Sequence, residues 1–65
     1  MEIEWMYKSE FAWKAMRLKK WSSVVSYIEK YSQCYIELRD AGYDLYNDDR
    51  RVPPYAQRII LKYFG

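Results

Sequence analysis

The residues that most often carry out chemistry are scarce in this chain. It has no histidine and a single cysteine, Cys34. A serine or cysteine nucleophile needs a base to activate it, and that base is usually histidine. A lone thiol without an imidazole also leaves no recognisable set of zinc ligands. We therefore expect no catalytic residues, no metal ligands and no cofactor.

Four aspartates form the one group of carboxylates that could suggest acid–base chemistry or metal binding. They are Asp40, Asp44, Asp48 and Asp49. They lack the central glycine and the terminal glutamate of a calcium-binding EF-hand loop, and paired carboxylates in glycosidases need a deep cleft that short chains rarely form. With glycines only at positions 42 and 65, a glycine-rich phosphate loop is excluded. We interpret the aspartates as a solvated connector and predict that the protein is not an enzyme.

Cys34 itself falls on the apolar side of a predicted helix, so we interpret it as a small buried side chain rather than a reactive thiol. An unpaired cysteine suits a reducing compartment. No basic stretch followed by an apolar run opens the chain, and no segment approaches the length of a membrane span. These features predict a soluble cytoplasmic protein that does not insert into membranes.

Size and aromatic content decide how such a chain can be stabilised. Its 65 residues make one domain, residues 1–65, with a marginal core. Eight tyrosines, three tryptophans and two phenylalanines exceed what one small core can hold, because each buries about 150–250 Å². Some rings should therefore reach the surface, where tyrosine and tryptophan often anchor interfaces.

The spacing of apolar residues predicts an all-α fold of three helices, over about residues 9–20, 23–41 and 54–64. Ser9 is a candidate N-cap for the first helix, and Ser22 with Ser23 is a weak break before the second. One long bent helix over residues 9–41 is the alternative. The predicted core consists of large apolar residues at helical spacing: Phe11, Leu18, Ile28, Tyr31, Leu38, Ile59 and Tyr63.

The clearest local signals lie in the second half of the chain. Gly42 follows Ala41 at a C-cap position, so Tyr43 should pack back on Leu38 in a Schellman ending. Pro53 and Pro54 suit the first turn of the last helix. We interpret residues 43–52 as a polar connector. In the arm of residues 1–8, Ile3, Trp5 and Tyr7 alternate with Glu2, Glu4 and Met6 as in a strand. A lone strand has no partner, so we predict an extended or helical arm.

Charge is arranged in blocks along the sequence. Residues 8–20 carry a net charge of +4, residues 36–49 carry −4, and residues 50–65 carry +4. The acidic connector can neutralise the two basic segments within the fold, or the basic segments can face an external anion.

The leading functional hypothesis is a non-catalytic protein-binding domain, an inhibitor or adaptor that docks on a larger protein. Small proteins of this kind are common among phage and mobile-element products, which is a class analogy only. Trp5 and Tyr31 are further candidates. Tyr31 is the middle of a row formed with Tyr27 and Tyr35, although a core position is favoured for it. The predicted partner-binding residues are aromatic and basic side chains: Trp13, Lys14, Arg17, Lys20, Trp21, Tyr27, Tyr35, Arg50 and Arg51.

The alternative hypothesis is nucleic-acid binding, with self-association as a further option. Basic and aromatic residues suit phosphate contact combined with base stacking. Five acidic residues between positions 37 and 49 oppose it, as does a connector too long for a helix-turn-helix motif. The predicted basic face comprises Lys14, Arg17, Lys19, Lys20, Trp21, Arg50, Arg51, Arg58 and Lys62.

Overall fold

The computed structural model describes residues 4–65, which fold into four short helices and one small sheet. The elements follow in the order β1 (Met6–Tyr7), α1 (Lys8–Met16), α2 (Trp21–Lys30), α3 (Ser32–Asp40), β2 (Arg51–Val52) and α4 (Pro54–Phe64). The predicted small helical domain is confirmed, with four helices in place of three. None of the described helices has the length and apolar character needed to cross a bilayer.

The first helix ends at Arg17 rather than at the serine pair. Arg17 adopts a left-handed backbone with φ of 56°, and the N–H of Leu18 then donates to the carbonyl of Ala12 at 3.0 Å. The chain turns back against α1, so the alternative of one long bent helix is wrong.

Ser9 is not the N-cap, because the helix begins at Lys8 after Tyr7.

The second predicted helix is divided at Tyr31, where φ of −105° and ψ of 84° interrupt the helical backbone. Cys34 and Tyr35 restart the hydrogen bonding by donating to the carbonyl of Tyr31. The break turns Tyr31 outward, with 47% of the residue exposed. Its assignment to the core was therefore wrong.

The end of α3 follows the predicted Schellman geometry. Ala41 is the C-cap and Gly42 has φ of 92°. The N–H of Tyr43 donates to the carbonyl of Leu38, and that of Gly42 to the carbonyl of Arg39, both at 3.0 Å. Only glycine adopts this left-handed conformation without strain. Tyr43 and Leu38 are both buried, so this prediction is confirmed.

The connector supplies the strand partner that the N-terminal segment was expected to lack. Met6 pairs with Val52 and Tyr7 with Arg51 in antiparallel register, and the N–H of Lys8 donates to the carbonyl of Arg50 at 2.8 Å. The argument against a strand was therefore wrong. The part of the predicted arm before residue 4 lies outside the described residues.

The last helix begins at Pro54 with Pro53 as its N-cap, as predicted. It carries Gln57, a polar side chain that is only 1% exposed. The Gln57 amide nitrogen donates to the carbonyls of Glu4 at 2.6 Å and Val52 at 2.9 Å. One buried side chain thus joins α4, β2 and the residues before β1.

The core lies between all four helices and includes residues from the connector. Phe11, Ile28 and Leu38 are buried as predicted, whereas Leu18, Ile59 and Tyr63 are only half-buried. Smaller side chains such as Ala12, Val24 and Ala56 are fully buried instead. The buried apolar residues are Phe11, Ala12, Val24, Ile28, Cys34, Leu38, Tyr43, Leu45, Val52, Ala56 and Ile60.

Candidate binding surfaces

The predicted partner-binding residues lie on separate elements rather than on one face. Trp13 and Lys14 belong to α1, Tyr27 to α2, Tyr35 to α3 and Arg51 to β2. The turn between α1 and α2 carries Arg17 and Lys20, with Trp21 opening α2, and Arg50 directly precedes β2. Three surfaces follow from this distribution, and each combines exposed aromatic side chains with charge.

The first surface, named here the basic turn, consists of Trp13, Lys14, Arg17, Lys19 and Lys20. All five residues are exposed, and 52% of Trp13 is accessible. The guanidinium of Arg17 lies over the Trp13 ring, 5.4 Å from its centroid. Such a cation–π contact adds about 0.5–1 kcal/mol at an exposed site and holds the ring in place.

Trp21 differs from Trp13 although both were predicted as surface anchors. It is half-buried and packs against the core, with its ring centroid 6.3 Å from that of Phe11. Lys8 covers it, with Nζ 5.6 Å from the ring. The same Nζ donates to the carbonyl of Asn47 at 2.9 Å. Trp21 therefore contributes to packing between α1, α2 and the connector.

The second surface, named here the aromatic patch, consists of Tyr27, Tyr31, Tyr63 and Phe64. The Tyr31 ring lies 5.3 Å from Tyr63 and 5.8 Å from Phe64, and Tyr27 lies 6.4 Å from Phe64. Tyr27 is 49% exposed, while Tyr63 and Phe64 are half-buried. Edge and tilted contacts of this kind are favourable geometries for aromatic rings.

Charged side chains fix the edge of the aromatic patch. The Tyr63 hydroxyl donates to Glu37 Oε1 at 2.7 Å, and Lys62 Nζ donates to the same carboxylate at 3.0 Å. The bond from Tyr63, followed by that from Lys62, lowers the pKa of Glu37. The bond to Glu37 raises the pKa of Tyr63 to about 12. The Tyr63 ring is therefore held by α3 as well as by its own helix.

The third surface, named here the ladder face, consists of Trp5, Tyr7 and Arg51 on the outer side of the sheet. Arg51 is paired with Tyr7 in the strand register, and its guanidinium lies 5.0 Å from the Tyr7 ring. A shallow concavity of about 470 Å³ includes these residues together with Asp49 and Arg50. Acidic and basic groups are mixed here.

Tyr35 joins none of these surfaces. It is half-buried and lines a concavity of about 340 Å³ beside Arg39 and Tyr43. The expected row of Tyr27, Tyr31 and Tyr35 is interrupted because the helix breaks at Tyr31. Tyr27 and Tyr31 instead face the end of α4.

The four aspartates and Cys34 are exposed and buried, respectively, as expected. Asp40, Asp44, Asp48 and Asp49 are all exposed, and Cys34 is buried. Burial, with a smaller contribution from Glu37, raises the pKa of the Cys34 thiol to about 11. Across residues 4–65, no group of three or more acidic, cysteine or histidine side chains is arranged to hold a metal ion.

Between described residues, one ion pair joins the acidic segment 36–49 to a basic segment, namely Glu37 with Lys62. The ion pairs there are Lys14 with Glu10, Arg39 with Asp40, and Lys62 with Glu37. Only the last of these joins two elements. Most of the basic charge on residues 14–20 therefore faces solvent.

Two features of the candidate surfaces were not predicted from the sequence, and each has a physical reason. The pairing of Tyr7 with Arg51 was missed although residues 3–7 alternate like a strand, because the partner strand is two residues long. Tyr63 was assigned to the predicted core, and its neighbour Phe64 was not singled out as a contact residue. No family model matches the chain, and no curated protein or solved structure matches it either.

Proposed function

We propose that this protein is a non-catalytic protein-binding domain that docks on a larger protein through the aromatic patch, as an inhibitor or adaptor. The observation that carries the proposal is the exposed Tyr31, whose ring is held by Tyr63 and Phe64 while 47% of the residue stays accessible. An aromatic anchor that is already fixed loses little conformational freedom on binding.

The composition of the patch supports a protein partner. Its centre is aromatic, and its edge carries Glu37 and Lys62, which bond to each other. A central aromatic cluster with a charged rim is the arrangement in which a few residues supply most of the binding energy. Cys34, buried and with a raised pKa, is poorly suited to nucleophilic chemistry, which supports a non-catalytic role.

Site-specific photocrosslinking tests the proposal. Benzoylphenylalanine is introduced at Tyr27 in one bait and at Tyr46 in another, and both are irradiated in cells. Tyr46 is a matched control because it is 57% exposed and bonds Glu29, on the opposite side of α2 from Tyr27. We expect a discrete protein adduct from position 27 that is absent from position 46.

A second variant tests whether the patch itself makes the contact. Adding Tyr31→Ala to the position 27 bait should remove the adduct, since losing such an anchor costs about 2 kcal/mol or more of binding. A thermal melt confirms that the variant is folded. Equal adducts from both positions, or an adduct that survives Tyr31→Ala, would exclude the aromatic patch as the docking site. An adduct of two copies would assign the patch to self-association.

A further inference from the structure

The basic turn is the part of the surface where positive charge is least compensated. Residues 11–28 contain no acidic side chain, yet residues 14–20 contain four cations. Among the described residues, the only ion pair made by these cations joins Lys14 to Glu10 at 3.5 Å. The other three, Arg17, Lys19 and Lys20, are exposed and keep their donors available.

The backbone gathers these cations around one aromatic ring. Arg17 follows Trp13 by one helical turn, and its left-handed conformation reverses the chain. The bond from the N–H of Leu18 to the carbonyl of Ala12 brings the residues after Arg17 back beside α1. Lys19 and Lys20 are therefore held near the end of the helix that carries Trp13.

We propose that the basic turn binds single-stranded nucleic acid, with a base stacking on Trp13 and phosphates contacting Arg17, Lys19 and Lys20. Cationic side chains contact phosphates whatever the sequence, and an exposed ring offers a stacking surface to any base. The Arg17 guanidinium supports the ring from one side while half of Trp13 remains accessible.

The same geometry argues against an anionic membrane as the ligand. A helix that lies on a membrane needs a broad apolar face directed outward. In this segment Met16 and Leu18 are half-buried and pack against the core, which leaves Trp13 as the one large apolar side chain that is exposed there. A single ring is enough to stack on a base but provides little area for insertion into lipid.

This inference goes beyond the proposed protein-binding function and concerns a different surface. The aromatic patch is formed by α2, the break at Tyr31 and α4, whereas the basic turn belongs to α1 and the residues that follow it. The ladder face is less suited to phosphates, because Asp49 lies beside Arg50 and Arg51. Loss of one binding function therefore leaves the other testable.

Fluorescence anisotropy with a labelled oligothymidylate of about 12 nucleotides, measured over a salt series, tests the proposal. Lys19→Glu with Lys20→Glu is compared with Lys30→Glu with Arg39→Glu, which changes the net charge equally at exposed positions outside the predicted basic face. We expect the first pair to make the negative slope of log affinity against log salt shallower by roughly 1.4, since each phosphate contact on a single strand contributes about 0.7 to its magnitude. The second pair should change the slope little.

Trp13 provides the second readout. Trp13→Ala should raise the Kd about tenfold by removing the stacking platform, while Trp13→Phe should keep most of the affinity. Equal effects of the two charge-reversal pairs would overturn the proposal. Binding to polyglutamate with the same affinity as to the oligonucleotide, unchanged by Trp13→Ala, would also overturn it. That result would indicate an acidic protein ligand. Binding to phosphatidylserine vesicles without binding to the oligonucleotide would likewise overturn it.

Discussion

Trp13 and Trp21 show how one residue type takes different roles within eight positions of the chain. Each has cationic neighbours in the sequence, which favours the surface. Trp13 is 52% exposed and supported by Arg17, whereas Trp21 packs on Phe11. Neighbouring charge is therefore an incomplete guide, because the turn after Arg17 directs Trp21 back toward α1.

The two tryptophans should separate in stability measurements. Trp21→Ala is expected to lower the free energy of unfolding by about 2–3 kcal/mol, somewhat less than for a fully buried tryptophan. Trp13→Ala should cost less than about 1 kcal/mol, because it removes mainly an exposed cation–π contact. Urea unfolding measures both, with Trp21→Phe as a variant that retains part of the packing. Equal losses for the two alanine variants would contradict these roles.

Arg17 is the non-glycine residue with positive φ among the described residues, and its backbone should be measurably strained. A left-handed conformation costs about 1 kcal/mol for a residue with a Cβ atom, whereas glycine adopts it freely. Arg17→Gly should therefore be more stable than Arg17→Ala by about 1 kcal/mol in urea unfolding. Both variants lose the contact with Trp13, so their difference isolates the backbone. An alanine variant as stable as the glycine variant would show that the turn is unstrained.

At the scale of elements, Gln57 is the connection between the sheet and the helices. Its amide donates to the carbonyls of Glu4 and Val52, and the bond to Val52 is buried. A buried acceptor without a partner costs about 1–3 kcal/mol. The position of Trp5 beside Glu4 therefore depends on a side chain of α4.

Replacing the Gln57 amide tests this connection. Gln57→Leu should lower the free energy of unfolding by about 2–3 kcal/mol, and hydrogen exchange at Lys8 should accelerate. Gln57→Glu should be less stable still at neutral pH, because a carboxylate would face two carbonyls. Burial raises the pKa of such a carboxyl group, so this variant should recover stability as the pH falls. A Gln57→Glu variant as stable as wild type near pH 7 would refute the connection.

Local signals in the sequence predicted some elements well and left others hidden. Gly42 and the two prolines determined the end of α3 and the start of α4, because glycine adopts the left-handed conformation that side chains with a Cβ atom avoid, whereas proline fixes its own φ. The breaks at Arg17 and Tyr31 contain neither glycine nor proline, so tertiary contacts override helical spacing there. The sheet pairs residues 46 positions apart, at Met6 and Val52, which local patterns do not reveal.

The candidate surfaces, like the elements, were predicted only in part from the sequence. The exposure of Trp13 followed from the cations around it and from its position off the apolar side of the helix. Tyr31 was placed in the core because its spacing matches that of buried residues on a continuous helix. The break at Tyr31 removed that spacing, and the aromatic patch became visible only once α4 was in place.

Across the whole molecule, folding raises the pKa of several side chains. Burial raises the pKa of Cys34 from 9.0 to about 11. Hydrogen bonds to Glu29 and Glu37 raise the pKa of Tyr46 and of Tyr63, respectively, from 10.0 to about 12. All three groups release their protons at lower pH in the unfolded chain than in the folded protein.

The free energy of unfolding should therefore fall as the pH rises from about 9 to about 12, because the unfolded chain ionises first over that window. Well below pH 9 these groups are protonated in both states, and their contribution is constant. Urea unfolding along a pH series measures the loss. Tyr46→Phe and Tyr63→Phe should each flatten the profile. A profile that stays level through pH 11 would contradict the prediction.

The pairing of β1 with β2 also has a consequence for the order in which the protein folds. The bond from Gln57 to Glu4 spans 53 positions, so forming it closes most of the chain into a ring. Loop-closure entropy disfavours such long-range contacts until local structure has shortened the gap. We therefore expect the helices to associate first and the strands to join last. By the same reasoning the strands are the first part to open in the native state, and Trp5 and Tyr7 would then be released while the helical core remains intact.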